Sequence, residues 1–475
     1  MMMEPHCDDH PREECGVVGL SSDDANQTAQ HTFFALFALQ HRGQEAAGIA
    51  VSDGNRASLH KDLGLLSNVF TPDTLDPLRG YHAIGHTRYS TLGSSTARNA
   101  QPFLVETMHG PLAVAHNGSL VNAGELRTQL LRRGYALTAA SDTEVMALML
   151  ASASGNTWEE RLERMMPSWK GAYSLVILGV DCVVAARDPW GFRPLSIGRT
   201  SEGGWAVASE TCALNILGCD RITEVKPGEI VTIRGKKMTR RRATPIAGGG
   251  ARCSFEFVYF SRPDSEWDGR SVHEVRQRLG EQLAIESPVD ADVVVPVPDS
   301  SIPAAIGYSR KSGVPFNDGF IKNRYIGRTF IEPTQLLRER RAAMKFNVLK
   351  PNIAGKRVIV IDDSLVRGTT SAQLVKLMRE AGAKELHMRI TSPRVLHPCY
   401  MGVDMGSYDE LIAARFDPEK LREHVGCDSL AFLSVEGMMG AIGRKSGYCT
   451  ACFTGRYPVD VSGVTGKNSF EGALK

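Results

Sequence analysis

The stretch Arg357–Ser371, RVIVIDDSLVRGTTS, decides how the rest of this 475-residue chain is read. Val358, Ile359, Val360 and Ile361 are consecutive β-branched apolar residues, as in a strand buried on both faces of a parallel sheet. Asp362 and Asp363 fall at its carboxyl end, where open α/β sheets bind their ligands. After Gly368 and a cluster of hydroxyl residues, a helix is predicted from Thr370. Leu374, Leu377, Met378 and Ala381 share one of its faces, and Gly382 supplies the stop.

Strand, acid pair, small turn and helix start form one device. The N–H groups of the turn and the helix dipole can cradle a phosphate, while the acids can hold ribose hydroxyls or a magnesium ion. Two adjacent acids alone would read equally well as caps of a βα turn. The whole string, VIVIDDSLVRGTTS, resembles the phosphoribosyl pyrophosphate (PRPP) signature of type I phosphoribosyltransferases. That resemblance implies Asp362 and Asp363 on the ribose and a magnesium ion. It implies Val366, Arg367, Gly368, Thr369 and Thr370 around the 5-phosphate.

The length favours two domains. Lysine and arginine number 55 against 53 acids, so no net field marks a polyanionic partner, and a nucleic-acid partner is not expected. The basic run Lys236–Arg242, KKMTRRR, reads as a solvated turn. No apolar run approaches the roughly 20 residues of a membrane span. The leader, residues 1–14, lacks the apolar segment of a secretory signal, so the cytoplasm and reduced thiols are expected. The 10 cysteines then call for packing, catalysis or metal rather than bridges.

Cys15 opens CGVVGL before a short predicted strand, and a lone cysteine there is most often core filling. If the chain is cut between Glu14 and Cys15, thiol and free α-amine share one residue. The amine, with a pKa of about 7.7–8.0, could then activate the sulfur. A helix is predicted over His31–Gln40, its Phe33, Leu36 and Phe37 directed at the core, ahead of HRGQEAAGIAV. GHTRYST, residues 85–91, places Arg88 in a predicted loop, as a surface charge or as a fork for a substrate carboxylate. Leu112, Val114 and His116 alternate as in a strand and meet Asn117–Gly118, a hairpin dipeptide. The amide of Asn117 and the N–H of Gly118 could also form an oxyanion hole. Ser141, Asp142, Thr143 and Glu144 read as a capping box before a helix over Val145–Ala151, with Asp142 free to bind an ammonium group.

Together CGVVGL, LQHRGQEAAGIA, GHTRYST, HNG and SDTE resemble the class II, N-terminal-nucleophile glutamine amidotransferase domain. The resemblance implies an αββα sandwich over residues 15–245, Cys15 as nucleophile after loss of a propeptide, Asn117 and Gly118 as oxyanion donors, and Arg88 and Asp142 on glutamine. YSLVIL, CVVAAR and WAVAS supply antiparallel strands for it, broken by Arg187–Pro194, RDPWGFRP.

PIAGGG, residues 245–250, reads as a flexible joint. After it come a helix over Ser271–Glu286, a buried strand over Asp292–Pro298, and a strand carrying Leu386, Met388 and Ile390. Ser301, in the loop after the second of these, is a magnesium or pyrophosphate contact in the resemblance and a capped turn otherwise. The basic stretch Lys322–Asn347 reads as a solvated arm. The resemblance makes it a flap closing over PRPP, with Lys322, Arg324 and Tyr325 on the pyrophosphate.

Cys449 and Cys452 form a single C-x-x-C, and thiolates alone leave zinc and iron–sulfur both open. RCSFEFVYFSRPDS, HPCYMGVDM and CTACFTGRYP are similar to the cluster-bearing branch of glutamine PRPP amidotransferases. This implies a 4Fe–4S cluster on Cys253, Cys399, Cys449 and Cys452, and leaves Cys182, Cys212, Cys219 and Cys427 structural. The full expectation is a sandwich followed by a type I phosphoribosyltransferase domain with a mostly parallel sheet, over residues 246–475. The family resemblance implies glutamine-dependent amination of PRPP at the start of purine synthesis, ammonia crossing a dry passage under the closed flap, inhibition by purine nucleotides, and a homodimer or homotetramer. A silent PRPP-sensing regulator would be expected to lack Cys15, Arg88 or Asn117. An iron–sulfur redox protein would need a dinucleotide fold, and no GxGxxG follows a strand.

Overall fold

The computed structural model describes residues 15–89, 96–323, 346–405 and 407–464. Its first half is built on two antiparallel sheets. The seven-stranded sheet runs, edge to edge, Asp220–Glu224, Ser196–Arg199, Trp205–Ala208, Gly16–Ser21, His82–Arg88, Ala46–Ser52 and Ala57–Leu63. The six-stranded sheet runs Lys237–Arg242, Glu229–Arg234, Val183–Arg187, Gly171–Leu178, Gly110–Leu120 and Phe103–Thr107.

Alternation along each strand sorts the layers. Val17, Ala50, Ile84, Ala113, Ala115, Val176, Ile197 and Val231 interleave between the two sheets. Val18 and Leu20 point the other way, under the helix Thr28–Ala38. Leu112, Val114, Leu175 and Ile177 pack outward against Ala123–Arg132, Asp142–Ser152 and Trp158–Met165. The order is helix, sheet, sheet, helix, as expected.

Local readings depart from this in three places. The helix predicted from His31 starts at Thr28, and its buried face is Thr28, Ala29, Thr32, Ala35, Leu36 and Ala38. Phe37 is therefore 55% exposed, and Phe33 stacks on it at 6.1 Å at the rim instead of entering the core. Residues 237–242 of the basic run form an edge strand, not a turn, whose charges discourage further pairing. Ser141 caps the helix Asp142–Ser152 alone, because Glu144 turns back to accept from Thr138 N at 2.8 Å and Ala139 N at 2.9 Å, so no capping box closes.

The second half holds a four-stranded parallel sheet in the order Val293–Pro296, Arg357–Asp362, Glu385–Ile390 and Ser429–Phe432. Val358 and Val360 face Leu374, Met378, Leu386 and Met388 on one side. Ile359 and Ile361 face Leu279, Leu283, Ala304 and Tyr308 on the other. Burial on both faces is why the strand needs four apolar residues in succession. Helices Val272–Glu286 and Ile302–Ser312 cover one face, Thr369–Glu380 and Pro418–Val425 the other. The fourth strand was not anticipated, its four residues being only half-buried and too few to show a period.

The two halves meet without a loose tether. Ala247 N donates to Pro189 O at 2.9 Å and Ala251 N to Trp190 O at 2.7 Å, so the joint is fastened to the RDPWGFRP segment. Beside it Glu210, from the first half, accepts from Arg42 Nη1 and the N–H of Arg262, at 2.7 and 2.8 Å, and from Ser265 Oγ at 2.7 Å. Burial alone would push the Glu210 carboxyl up. His41 and Arg42 outweigh it and hold the group well below the usual carboxylate range.

Candidate active site

Cys15 lies at the head of the strand Gly16–Ser21, where Gly16 pairs with Thr87 and Val17 with His86. Its thiol is buried and donates to Tyr89 O at 3.4 Å. Burial pushes that thiol up to about 11, with the Arg88 guanidinium pulling the other way. At neutral pH the sulfur is therefore protonated, and a backbone carbonyl cannot take its proton.

Arg88 is the last residue of the buried strand His82–Arg88, not part of a loop as predicted: Glu45 N donates to its carbonyl at 3.1 Å. Strand pairing on both sides overrides the polar composition that suggested a loop.

Asn117 and Gly118 also sit inside a strand, Gly110–Leu120, opposite Ser174 and Tyr173, so no hairpin forms there. Gly118 holds φ +142, and a Cβ on it would lie 2.1 Å from Ala172 O. Only glycine lets the two backbones approach that closely. Asn117 is 0% exposed, and neither atom of its amide has a hydrogen-bond partner among the described residues. His86 Nε2, on the strand beside Cys15, reaches the carbonyl of His116 at 3.2 Å and ties the two sheets together at this point.

Asp142 accepts from Leu120 N at 3.0 Å and stands 3.6 Å from His116 Nδ1. Burial pushes its carboxyl up, but His116 and these hydrogen bonds prevail and the net direction is down, so the group is an anion. Arg42, His86 and His116 were given no role from sequence, although each lies in a motif that carries the resemblance. A histidine two residues from Gly118, and the HRG that follows the first helix, were the available signals.

At the second pocket Asp362 ends its strand and Asp363 follows, each 1% exposed. Asp363 accepts from Ser300 Oγ at 2.5 Å and from Ser364 Oγ at 2.8 Å. Asp362 accepts from Ser301 Oγ at 3.3 Å and from Asp363 N at 2.9 Å. Ser301 stands at the start of the helix Ile302–Ser312 but does not cap it with its side chain, the hydroxyl being turned to Asp362.

Gly368, at φ +77, turns the chain into the helix Thr369–Glu380, whose first N–H groups cannot be satisfied within the helix. Within the turn Val366 is buried, its carbonyl accepting from Ile412 N at 2.8 Å, and Arg367 pairs with Glu410 at 2.7 Å. Thr370 is also buried.

Lys322 reaches Asp299 at 2.6 Å, beside Ser300 and Ser301. Its strand Phe320–Lys322 pairs antiparallel with Phe346–Val348, so the two roots of the basic stretch meet at this pocket. Arg324 and Tyr325 lie outside the described residues, as do the leader 1–14 and residues 90–91 of GHTRYST.

The four cysteines singled out for a metal come together from three distant segments. Cys253 pairs with Cys449 across a short parallel ladder, and Cys452 O accepts from Leu396 N and His397 N, beside Cys399. Burial pushes the Cys452 thiol well up, and Cys253, Cys399 and Cys449 add to the effect. Among the described residues no three metal-binding side chains converge on one ion position. Cys182, Cys212 and Cys427 fill hydrophobic clusters, and Cys219 is half-buried against one.

A family profile for a glutamine amidotransferase domain matches residues 86–215, and one for a phosphoribosyl transferase domain matches residues 277–391. Amidophosphoribosyltransferase of Synechococcus elongatus is 49% identical over 459 residues, 95% of this chain and 93% of the relative. The Methanocaldococcus jannaschii protein of the same name is 46% identical, over 94% of this chain and 98% of its own. The solved Bacillus subtilis glutamine PRPP amidotransferase, complexed with ADP and GMP, superposes at a TM-score of 0.89 with 44% identity, covering 95% of this chain and 99% of that one. With a glutaminase-type sandwich and a phosphoribosyltransferase-type sheet joined in the same order over nearly the full length of these relatives, the chain belongs to the amidophosphoribosyltransferase family.

Proposed function

We propose that the chain carries the amide nitrogen of glutamine to PRPP, releasing glutamate and pyrophosphate and forming 5-phosphoribosylamine, the first step of de novo purine synthesis. The observation that carries this reading is the Asn117 amide, wholly buried and without a hydrogen-bond partner among the described residues, on the strand that His86 ties to the sheet carrying Cys15. Such a group is costly to leave unpaired unless a ligand completes it. Incubation with both substrates should yield glutamate and diphosphate together. Failure to form either ends the proposal.

Removal of residues 1–14 from a glutaminase domain spanning about 15–245 gives Cys15 a free α-amine, the base that its high thiol pKa demands. Arg88 forks the glutamine α-carboxylate and anionic Asp142 holds the α-ammonium. The thiolate attacks the side-chain amide while Asn117 Nδ2 and Gly118 N–H donate to the oxyanion. The tetrahedral intermediate collapses to a thioester as its C–N bond breaks and ammonia departs, and water then hydrolyses the thioester to free glutamate. Asn117→Ala should lower kcat for glutamine about 10²–10³-fold with ammonia-dependent synthesis within about twofold of the parent. Parallel initial rates on the two nitrogen sources check this.

In the second domain, about 246–475, Asp362 and Asp363 orient the ribose hydroxyls. The turn Val366, Arg367, Gly368, Thr369 and Thr370 takes the 5-phosphate at the helix start. Lys322, with Arg324 and Tyr325, neutralises the departing pyrophosphate. Magnesium suits this pocket because it is held by one or two carboxylates plus substrate phosphates, here Asp362 and Asp363 with Ser301 in reserve. When bound it supplies charge neutralisation to the leaving group. Ammonia has to reach the ribose without meeting bulk water, where protonation would take away its lone pair; residues 324–345 of the expected flap lie outside the described residues.

For Cys253, Cys399, Cys449 and Cys452 we propose a 4Fe–4S cluster. Cys253 stands in register with Cys449, and Cys452 lies beside Cys399; thiolates alone accept zinc or iron–sulfur, and the likeness of RCSFEFVYFSRPDS, HPCYMGVDM and CTACFTGRYP to the cluster-bearing branch favours the cluster. Protein purified without air should be brown and contain iron. Colourless protein with stoichiometric zinc overturns the assignment. Purine nucleotides as inhibitors, and a homodimer or homotetramer, complete the proposal, the first supported by the ADP and GMP in the Bacillus relative.

A further inference from the structure

Two guanidinium groups of the first half, Arg42 and Arg193, are wholly buried in the seam between the domains, and one carboxylate of the second half, Glu256, faces both. Arg42 Nη2 donates to Glu256 Oε1 at 2.8 Å, and Nη1 to Glu256 Oε2 at 3.0 Å. The Nε of the same side chain donates to the backbone carbonyl of Cys15 at 3.1 Å. Arg193 Nη1 stands 3.7 Å from Glu256 Oε1, while its Nε and Nη2 donate to Met401 O at 3.0 and 2.6 Å.

Met401 leads into Gly402, at φ +99, which presses on the oxyanion strand: a Cβ on Gly402 would lie 2.8 Å from the Gly118 carbonyl carbon and 2.9 Å from its Cα. One guanidinium thus ends on the residue that carries the thiol. The other ends on the segment that backs Gly118.

Planar guanidinium groups paired in a dry seam have few alternative orientations, so their shared anion, together with Glu210 on Arg42 Nη1, fixes where both can point. Glu256 is itself fully buried and further held by Ser261 Oγ at 2.6 Å. Nucleophile and oxyanion donors work only when their placement is right beforehand, and an error of about 1 Å can cost about 10²-fold in rate. From this geometry we infer that Glu256 of the phosphoribosyltransferase domain is a positioning residue for glutamine cleavage, acting through Arg42 on Cys15 and through Arg193 and Met401–Gly402 on Gly118. The inference rests on the roles proposed above for Cys15 and Gly118.

The test uses the full processed enzyme with two independent variants. Glu256→Gln keeps the shape and removes the charge, while Gly402→Ala keeps the charge and adds one methyl group against Gly118. Each should lower kcat for glutamine cleavage by about 10- to 10²-fold, with KM for glutamine within about threefold and ammonia-dependent synthesis within about twofold. Should Glu256→Gln not fold, Glu256→Asp, which keeps the charge but draws it back from Arg42 and Arg193, takes its place.

An unchanged glutamine kcat in the folded variants overturns the inference. So does a parallel fall of both activities that tracks the thermal midpoint, since a merely structural role would spare neither domain. Cys15→Ala separates the two levels of failure: if it retains glutamine-dependent activity, the nucleophile assignment falls and the inference with it. If it abolishes that activity while Glu256→Gln and Gly402→Ala leave it intact, the inference alone is lost.

Discussion

Replacing Cys15 by alanine should abolish glutamine-dependent phosphoribosylamine formation, by about 10⁴-fold or more, and leave formation from ammonia near the parent rate. The size of the loss follows from chemistry. Without a covalent intermediate, water would have to attack an unactivated amide, and among the described residues Cys182, Cys212 and Cys427 are sealed in hydrophobic clusters and offer no substitute. The sparing of the ammonia reaction follows from topology. Asp362, Asp363 and the Val366–Thr370 turn stand on a separate parallel sheet with its own core. Removing one sulfur from a buried site next to Tyr89 O should disturb neither. Initial rates with glutamine or with ammonia, each at saturating PRPP, measure both arms, and loss of both would contradict two separable sites. Amino-terminal sequencing belongs to the same experiment. A mature chain starting at Cys15 has the α-amine its raised thiol pKa requires, whereas one still carrying Met1 lacks that base.

What could be read without coordinates followed the range of the interactions involved. Val358 to Ile361 announced a doubly covered strand because its burial pattern is written in consecutive residues. Asn117–Gly118 misled as a turn because the turn preference is local, whereas its pairing with Tyr173 and Ser174 reaches across the sheet, and glycine was needed for close backbone approach instead. Glu144 broke the expected capping box when donors at Thr138 and Ala139 outcompeted the helix start. Phe37 missed the core by one step around its helix. The seam was beyond reach: Arg42 finds its carboxylates 168 and 214 residues away, at Glu210 and Glu256, and nothing in HRG signals either. The four candidate cluster cysteines were assembled by resemblance rather than by spacing, since only the pair Cys449 and Cys452 is local.

Asp363→Asn should lower phosphoribosylamine synthesis about 10³-fold from either nitrogen source, a loss that ammonia cannot bypass and that sets it apart from Cys15→Ala. The two acids are each 1% exposed at the end of the strand, so adjacent negative charges are held out of water with hydroxyl donors from Ser300, Ser301 and Ser364 around them. The buried Arg276 guanidinium already feels the Asp363 charge, and a ligand, or a cation brought with it, would share that charge further. Asparagine keeps the side-chain shape. Its oxygen can still accept from Ser300 or Ser364, and its N–H₂ can donate to the other hydroxyl. The fold should therefore be kept, and the thermal midpoint without substrates should stay near that of the parent. Raised PRPP concentration should recover little if the carboxylate acts on the transition state, and much if it only binds the ground state. Wild-type synthesis from ammonia in Asp363→Asn would remove the acid pair from the reaction, and a fall in midpoint that accounts for the lost activity would make it a folding residue.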